Sequence, residues 1–160
     1  MIRTRAARIA DSLAAFDRER DCWVATGRGD GEAHLIPLSF CWDGEQFVIA
    51  TREDAVTVSS LRRSNRVRIS LPSTDDVVII EATARIVSSS EIDATTHHQF
   101  CMVAGFDPCV EPEPYVFGLL TPVRIQAWRN VAELADRVIM RGGAWLSDPA
   151  LVTEENDGEG

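Results

Sequence analysis

Residues 75–88 alternate for longer than any other stretch of the chain. Val78, Ile80, Ala82, Ala84 and Ile86 fall on one parity, and Glu81, Thr83 and Arg85 on the other. Successive side chains of an extended strand point to opposite faces, so this is a long strand with one face on a core. Similar signals surround it. Val67, Ile69 and Leu71 alternate with Arg66, Arg68 and Ser70. Cys22 to Thr26 is a short apolar run, and the glycine-rich stretch 27–31 after it is a turn by composition. Residues 33–42 and 46–51 read as strands joined at Asp43-Gly44, a strong hairpin signal. Residues 115–129 are strand again, interrupted at Pro122, and a last strand is expected over 137–140.

Three segments carry a helical period instead. Ile9, Leu13 and Phe16 make one stripe of a helix over 7–19. A short helix is expected over 54–64 with Asp54 as its cap. Ile92, Thr96, Phe100 and Val103 mark one side of a helix over 90–105, ended by Asp107-Pro108. Six or seven strands in successive hairpins favour an antiparallel barrel, mainly β with peripheral helices. A parallel nucleotide-binding sheet is excluded, because neither the βαβ alternation nor a G-x-G-x-x-G after a strand is present.

The 160 residues fit one domain, expected over 1–148, and the acidic stretch 149–160 reads as a disordered tail. No apolar run approaches the roughly 20 residues that cross a bilayer. The basic opening Met1 to Arg5 leads into no apolar signal core, so the expectation is a cytoplasmic protein without a membrane partner. A formal charge of -9 argues against general nucleic-acid binding, which needs a basic face. All 16 basic residues are arginine. That removes lysine Schiff-base chemistry and the lysine-containing phosphate loop, so any anion falls to arginine, backbone N–H groups or hydroxyls. Cys22, Cys41, Cys101 and Cys109 form no C-x-x-C pair and read as free thiols. No G-x-S-x-G occurs, and nothing else points to nucleophilic hydrolysis.

Four constellations could carry chemistry. Thr51 and Arg52 end a strand just before a helix that holds Thr57 in its first turn. A hydroxyl, a guanidinium and free helical N–H groups suit a phosphate. Glu53 and Asp54 oppose an anion there unless they point away, and the plainer reading is a capped helix with a solvated arginine. Leu35, Ile36, Pro37 and Leu38 place a proline inside a strand, which marks an edge or bulge with backbone groups free for a planar ligand. An ordinary edge strand is the alternative. Trp128 with Arg137 and Arg141 could clamp an anionic or π-rich ligand, the two arginines sharing a strand face, or could be a solvated basic face. His97 and Cys101 stand at a workable metal spacing beside His98, but no second ligand pair is evident, so no metal is expected. His34 is the histidine nearest the expected pocket and carries no assigned role.

In their order and spacing these segments resemble the FMN-binding split-barrel superfamily of the pyridoxamine 5'-phosphate oxidase type. The likeness covers residues 10 to about 146 and rests on three stretches. They are Gly31-x-x-His34-x-x-Pro37 with Val48 to Arg52, then Leu61 to Ile69, then Pro122 to Arg129 followed by Arg137-x-x-x-Arg141. The resemblance implies a six- to seven-stranded split β-barrel working as a homodimer, with FMN where the subunits meet. It places Thr51, Arg52 and Thr57 near the flavin phosphate and the backbone of Leu35 to Leu38 along the ring. Trp128 and Arg141 would close the site from the partner subunit, and Arg137 would face a small-molecule substrate. Many relatives carry Ser-Arg-Lys where this chain has Val56-Thr57-Val58, which weakens the basic phosphate grip. The expectation is a flavin-dependent oxidoreductase. A deazaflavin-dependent reductase and a non-catalytic flavin- or haem-binding barrel remain as alternatives. No catalytic residue is assigned.

Overall fold

The computed structural model describes residues 1–148, so the stretch 149–160 lies outside the described residues. Helix α1 (Arg5–Arg18) comes first, followed by strands β1 (Asp21–Gly27), β2 (Ala33–Trp42) and β3 (Phe47–Arg52). Helix α2 (Val56–Arg63) leads to β4 (Arg66–Ser70) and β5 (Val77–Ser88). Helix α3 (Ala94–Ala104) precedes β6 (Tyr115–Trp128), β7 (Val138–Arg141) and the short β8 (Ala144–Trp145). One antiparallel sheet runs β3-β2-β1-β4-β5-β6-β7-β8, and β3 also pairs with β6. That extra pairing closes β1 to β6 into a six-stranded barrel, with β7 and β8 extending it. Mainly antiparallel β with peripheral helices is thus the observed class.

Closure depends on β6 changing neighbours. One edge follows β5 along its whole length, with a bulge that passes over Val123 opposite Glu81 and Ala82. The other edge pairs Tyr115 to Leu120 with β3, and then Ile125 and Gln126 with β7. Pro122, which has no N–H to donate, sits between the two.

Two cores result. Inside the barrel Phe40, Phe47, Ile49, Ile80, Leu120 and Ile125 are almost wholly buried. Phe16 of α1 plugs one end, with ring centroids 5.1 Å from Trp42 and 4.7 Å from Phe47. Outside it, Phe100 of α3 covers Cys41, Val48, Ala50, Phe117 and Val87. Phe47 to Ala50 are therefore buried on both faces and read as a continuous apolar run. The same second core turns the end of β5 around, because Val87, off the alternating parity, is the buried residue there.

Local signals account for the boundaries that moved. Asp54 does not cap α2; Ala55 holds the N-cap position and no side chain caps it. Helix α3 starts later than its pattern suggested, because Asp93 accepts from the Thr96 N–H at 3.0 Å. Gly105 at φ 79° ends it before Asp107-Pro108 is reached. The last strand begins at Val138, which leaves Arg137 in helical geometry outside it. Arg137 and Arg141 consequently do not share a strand face. The brief β8 returns through Gly142 and Gly143, both at positive φ.

The N-terminus is held by charge. Arg3 donates to the Glu133 carboxylate from Nε at 3.1 Å and Nη2 at 2.9 Å, and the backbone N–H groups of Arg3 and Arg129 add 3.0 Å and 2.8 Å bonds. Glu133 is 1% exposed, and the Arg3 guanidinium holds its pKa down at about 2. The buried Arg8 donates to the Asp136 carboxylate at 2.9 Å and to the Ala127 carbonyl. Glu133 binds a proton more weakly folded than unfolded, where 4.5 is its ordinary value. Its contribution is complete above that value and disappears as pH falls toward about 2. Acid titration followed by circular dichroism should show this loss in the wild type and not in Glu133→Ala. At neutral pH Glu133→Ala should cost about 3 kcal/mol by denaturant unfolding, since it removes the acceptor of four hydrogen bonds while Arg3 keeps only Asp11 and Asp76. A Cβ added at Gly118 would lie 2.9 Å from Ile49 Cγ1. Gly118→Ala should therefore destabilise by roughly 1–3 kcal/mol in the same assay.

Candidate functional site

Strands β2 and β3 form a tight hairpin and then separate. Only Phe40, Cys41 and Trp42 pair with Ile49, Val48 and Phe47. Earlier β2 residues are bonded to β1 alone, and Ala50 to Arg52 are bonded to β6 alone. Among the described residues, the facing edges of the two strands thus carry backbone groups without a ladder partner. Between them lies a cavity of about 530 Å³, reached by Pro37, Leu38 and Ser39 on one side and by Ala50, Thr51 and Arg52 on the other. Phe106 and Tyr115 wall it, their rings edge-on with centroids 6.0 Å apart. Asp54 and Ala55 bring the start of α2 to the same space.

The end near α2 is where an anion would be held. No side chain caps α2, and no partner for the Val56 or Thr57 N–H is found among the described residues. Those amides and the helix dipole favour negative charge. Arg52 stands beside them, 3.0 Å from the Asp54 carboxylate and 3.7 Å from that of Glu113. Both acids are well exposed, at 73% and 63%. Exposed ion pairs of this kind are worth about 0–1 kcal/mol each. A phosphate reaching both this arginine and the helix N-terminus would add bonds from the α2 amides to the one it takes from Arg52, which neither carboxylate makes. The residues present therefore fit a flavin nucleotide, with one guanidinium for its phosphate and open strand edges for its ring.

Pro37, Leu38, Thr51 and Arg52 are brought together here. The other residues singled out from the sequence lie elsewhere. Thr57 is fully buried behind the cavity, and its Oγ1 finds no partner among the described residues. Ile36 is half-buried opposite Val24. Leu35 is 60% exposed on the outer sheet face, beside a second groove of about 710 Å³. Trp128 ends β6 opposite Val77, and Arg137 donates to Gln126 Oε1 at 2.7 Å. Arg141 is exposed at the far end of β7. Phe106 and Tyr115 were not singled out as site residues. Their only sequence cue is position, Phe106 directly after the glycine that ends α3 and Tyr115 at the start of β6.

His97 is also better supplied than its spacing indicated. Its Nε2 lies 2.7 Å from Asp107 Oδ1, and an oxygen of Asp107, the His97 nitrogen and the Cys109 sulfur all lie within 4.8 Å of one another.

The sequence pattern of pyridoxamine 5'-phosphate oxidases matches residues 9–129. The chain belongs to that family. No curated protein matches it. Solved structures with the same fold are distant in sequence. An F420 reductase is 16% identical with a TM-score of 0.59, covering 70% of this chain and 93% of that one. HutZ, the haem storage protein of Vibrio cholerae, is 16% identical with a TM-score of 0.60, covering 75% and 94%. A pyridoxamine 5'-phosphate oxidase-related FMN-binding protein of Nostoc punctiforme is 17% identical with a TM-score of 0.52, covering 74% and 81%. These three neighbours share the fold and are named for three different ligands, so the fold by itself does not choose the ligand.

Proposed function

We propose that this chain binds a flavin, FMN in the first instance, in the cavity between β2 and β3, and acts as a flavin-dependent oxidoreductase on a small-molecule substrate. The observation that carries this reading is the separation of β2 from β3. Two strand edges with free backbone groups open onto a cavity of mixed polar and apolar lining that ends at an uncapped helix and an arginine. Arg52, Thr51 and the first amides of α2 would hold the phosphate. The edges at Pro37 to Ser39 and at Ala50 to Arg52 would bond the ring, and Phe106 and Tyr115 would shield it from water. The flavin would supply hydride or electron transfer.

We further propose that the working unit is a homodimer. Trp23 at 43% exposure, Leu35 at 60% and Val123 at 38% present apolar surface on the outer face of the sheet. The larger groove continues it along Ala25 and Ala33. A second copy seated on this face would bury the patch and wall the adjoining cavity from outside. Trp128 and Arg141 are remote from the cavity within one chain, so they would reach a flavin only from the partner subunit. Among the described residues no helix is long and apolar enough to cross a membrane.

Titrations with FMN, a deazaflavin and haem, run side by side, test the ligand. FMN should bind and turn the protein yellow, with Arg52→Ala weakening it by about 1.5–3 kcal/mol. Uptake of deazaflavin alone or haem alone would replace FMN by that group, and failure of all three would overturn the cavity reading. Sedimentation should give a dimer for the wild type and a monomer for Leu35→Glu, which buries an unpaired charge in the proposed interface. A monomeric wild type would refute the dimer.

A further inference from the structure

We propose that His97, Asp107, Cys109 and Cys101 form a binding site for a divalent transition ion, zinc being the best match to the donors. Two segments supply them. Helix α3 contributes His97 and, one turn later, Cys101. The 3-10 turn after it contributes Asp107 and Cys109. The nitrogen, oxygen and sulfur of His97, Asp107 and Cys109 lie within 4.8 Å of one another. Ligand atoms at zinc distances of about 2.0–2.3 Å stand some 3–4 Å apart in a tetrahedron, so small side-chain rotations close the site.

Each donor is suitably prepared. The His97 ring packs edge-on against Phe117, centroids 6.0 Å apart, which leaves Nε2 facing Asp107. Asp107 is held in place because its Oδ1 also accepts the Cys109 N–H at 2.9 Å. Cys109 is an exposed free thiol. Cys101, less exposed, lies outside that group of three atoms but stands one turn after His97 on α3, and it would supply the fourth donor after a side-chain rotation. Mixed nitrogen, sulfur and carboxylate donors select zinc over magnesium or calcium, which take oxygen. The absence of a second ligand pair, which argued against a metal from the sequence, reflected only the spacing along α3. Asp107 and Cys109 are folded back onto that helix by Gly105. Phe106, which walls the cavity between β2 and β3, is the residue before Asp107, so a bound ion would also fix that wall.

Cobalt titration of the reduced, full-length protein without flavin tests this, independently of the flavin proposal. The expected result is one Co2+ per chain with a sulfur-to-cobalt charge-transfer band and the strong visible bands of a tetrahedral site, both abolished by one equivalent of Zn2+. Cys109→Ser and His97→Gln should weaken binding at least about tenfold, the former also diminishing the charge-transfer band. His98→Gln should bind normally. Zn2+ should raise the melting temperature of the wild type and not of the two ligand variants, which also confirms that those variants fold. Binding without a charge-transfer band would identify carboxylate sites elsewhere and overturn the proposal. So would binding that survives both ligand variants, or no binding at micromolar metal.

Discussion

Pairing of β3 with β6 is the contact on which the rest of the molecule depends. It turns an open sheet into a barrel, and it is possible because Gly118 stands opposite Ile49. A side chain at 118 would collide with Ile49, which is itself 1% exposed in the barrel core. Once β3 is bound to β6, it is buried from both sides. Phe47 and Ile49 face the barrel core, while Val48 and Ala50 face the core under α3. Burying a large aliphatic or aromatic side chain is worth about 1.5–3 kcal/mol, so this short strand anchors two cores at once.

The candidate site opens on the other edge of β3. That strand follows β6 from Phe47 to Arg52 but stays with β2 for three residue pairs only, after which β2 and β3 part. The cavity is the space left by that parting. Free backbone groups along its sides follow from the topology and need no special residue. Specific side chains matter at its ends, where Arg52 and the start of α2 provide positive potential and Phe106 and Tyr115 provide cover. Asp54 and Glu113 draw on the same arginine, so the site grips an anion less firmly than one lined by several free cations.

Charge has a different task at the opposite end of the chain. Arg3 and Arg8 reach Glu133 and Asp136 across about 130 residues of sequence and fasten α1 over the barrel mouth. These arginines are spent on structure, as is Arg137 through Gln126. In a chain whose cations are all arginine, the count of basic residues therefore overstates what is free for ligands.

Much of this was legible in the residue pattern. Alternation along 75–88, the Asp43-Gly44 hairpin and the helical stripe at Ile9, Leu13 and Phe16 are local consequences of side-chain geometry, and all three segments form the elements expected of them. Thr51 and Arg52 were legible as one constellation and Pro37 and Leu38 as another, because strand ends, helix starts and a proline within a strand leave their mark within a few residues; only the family resemblance joined the two. Everything that joins distant segments lay beyond that reach. Phe106 enters the cavity wall, Asp107 and Cys109 meet His97, and Glu133 accepts Arg3, because the chain folds back at those points. The sequence alone determined which segments are strands and which faces are apolar, since those depend on a residue and its near neighbours. The tertiary structure alone decided where β2 leaves β3, which arginines stay free and which donors converge, since each depends on atoms brought together only by closure of the barrel.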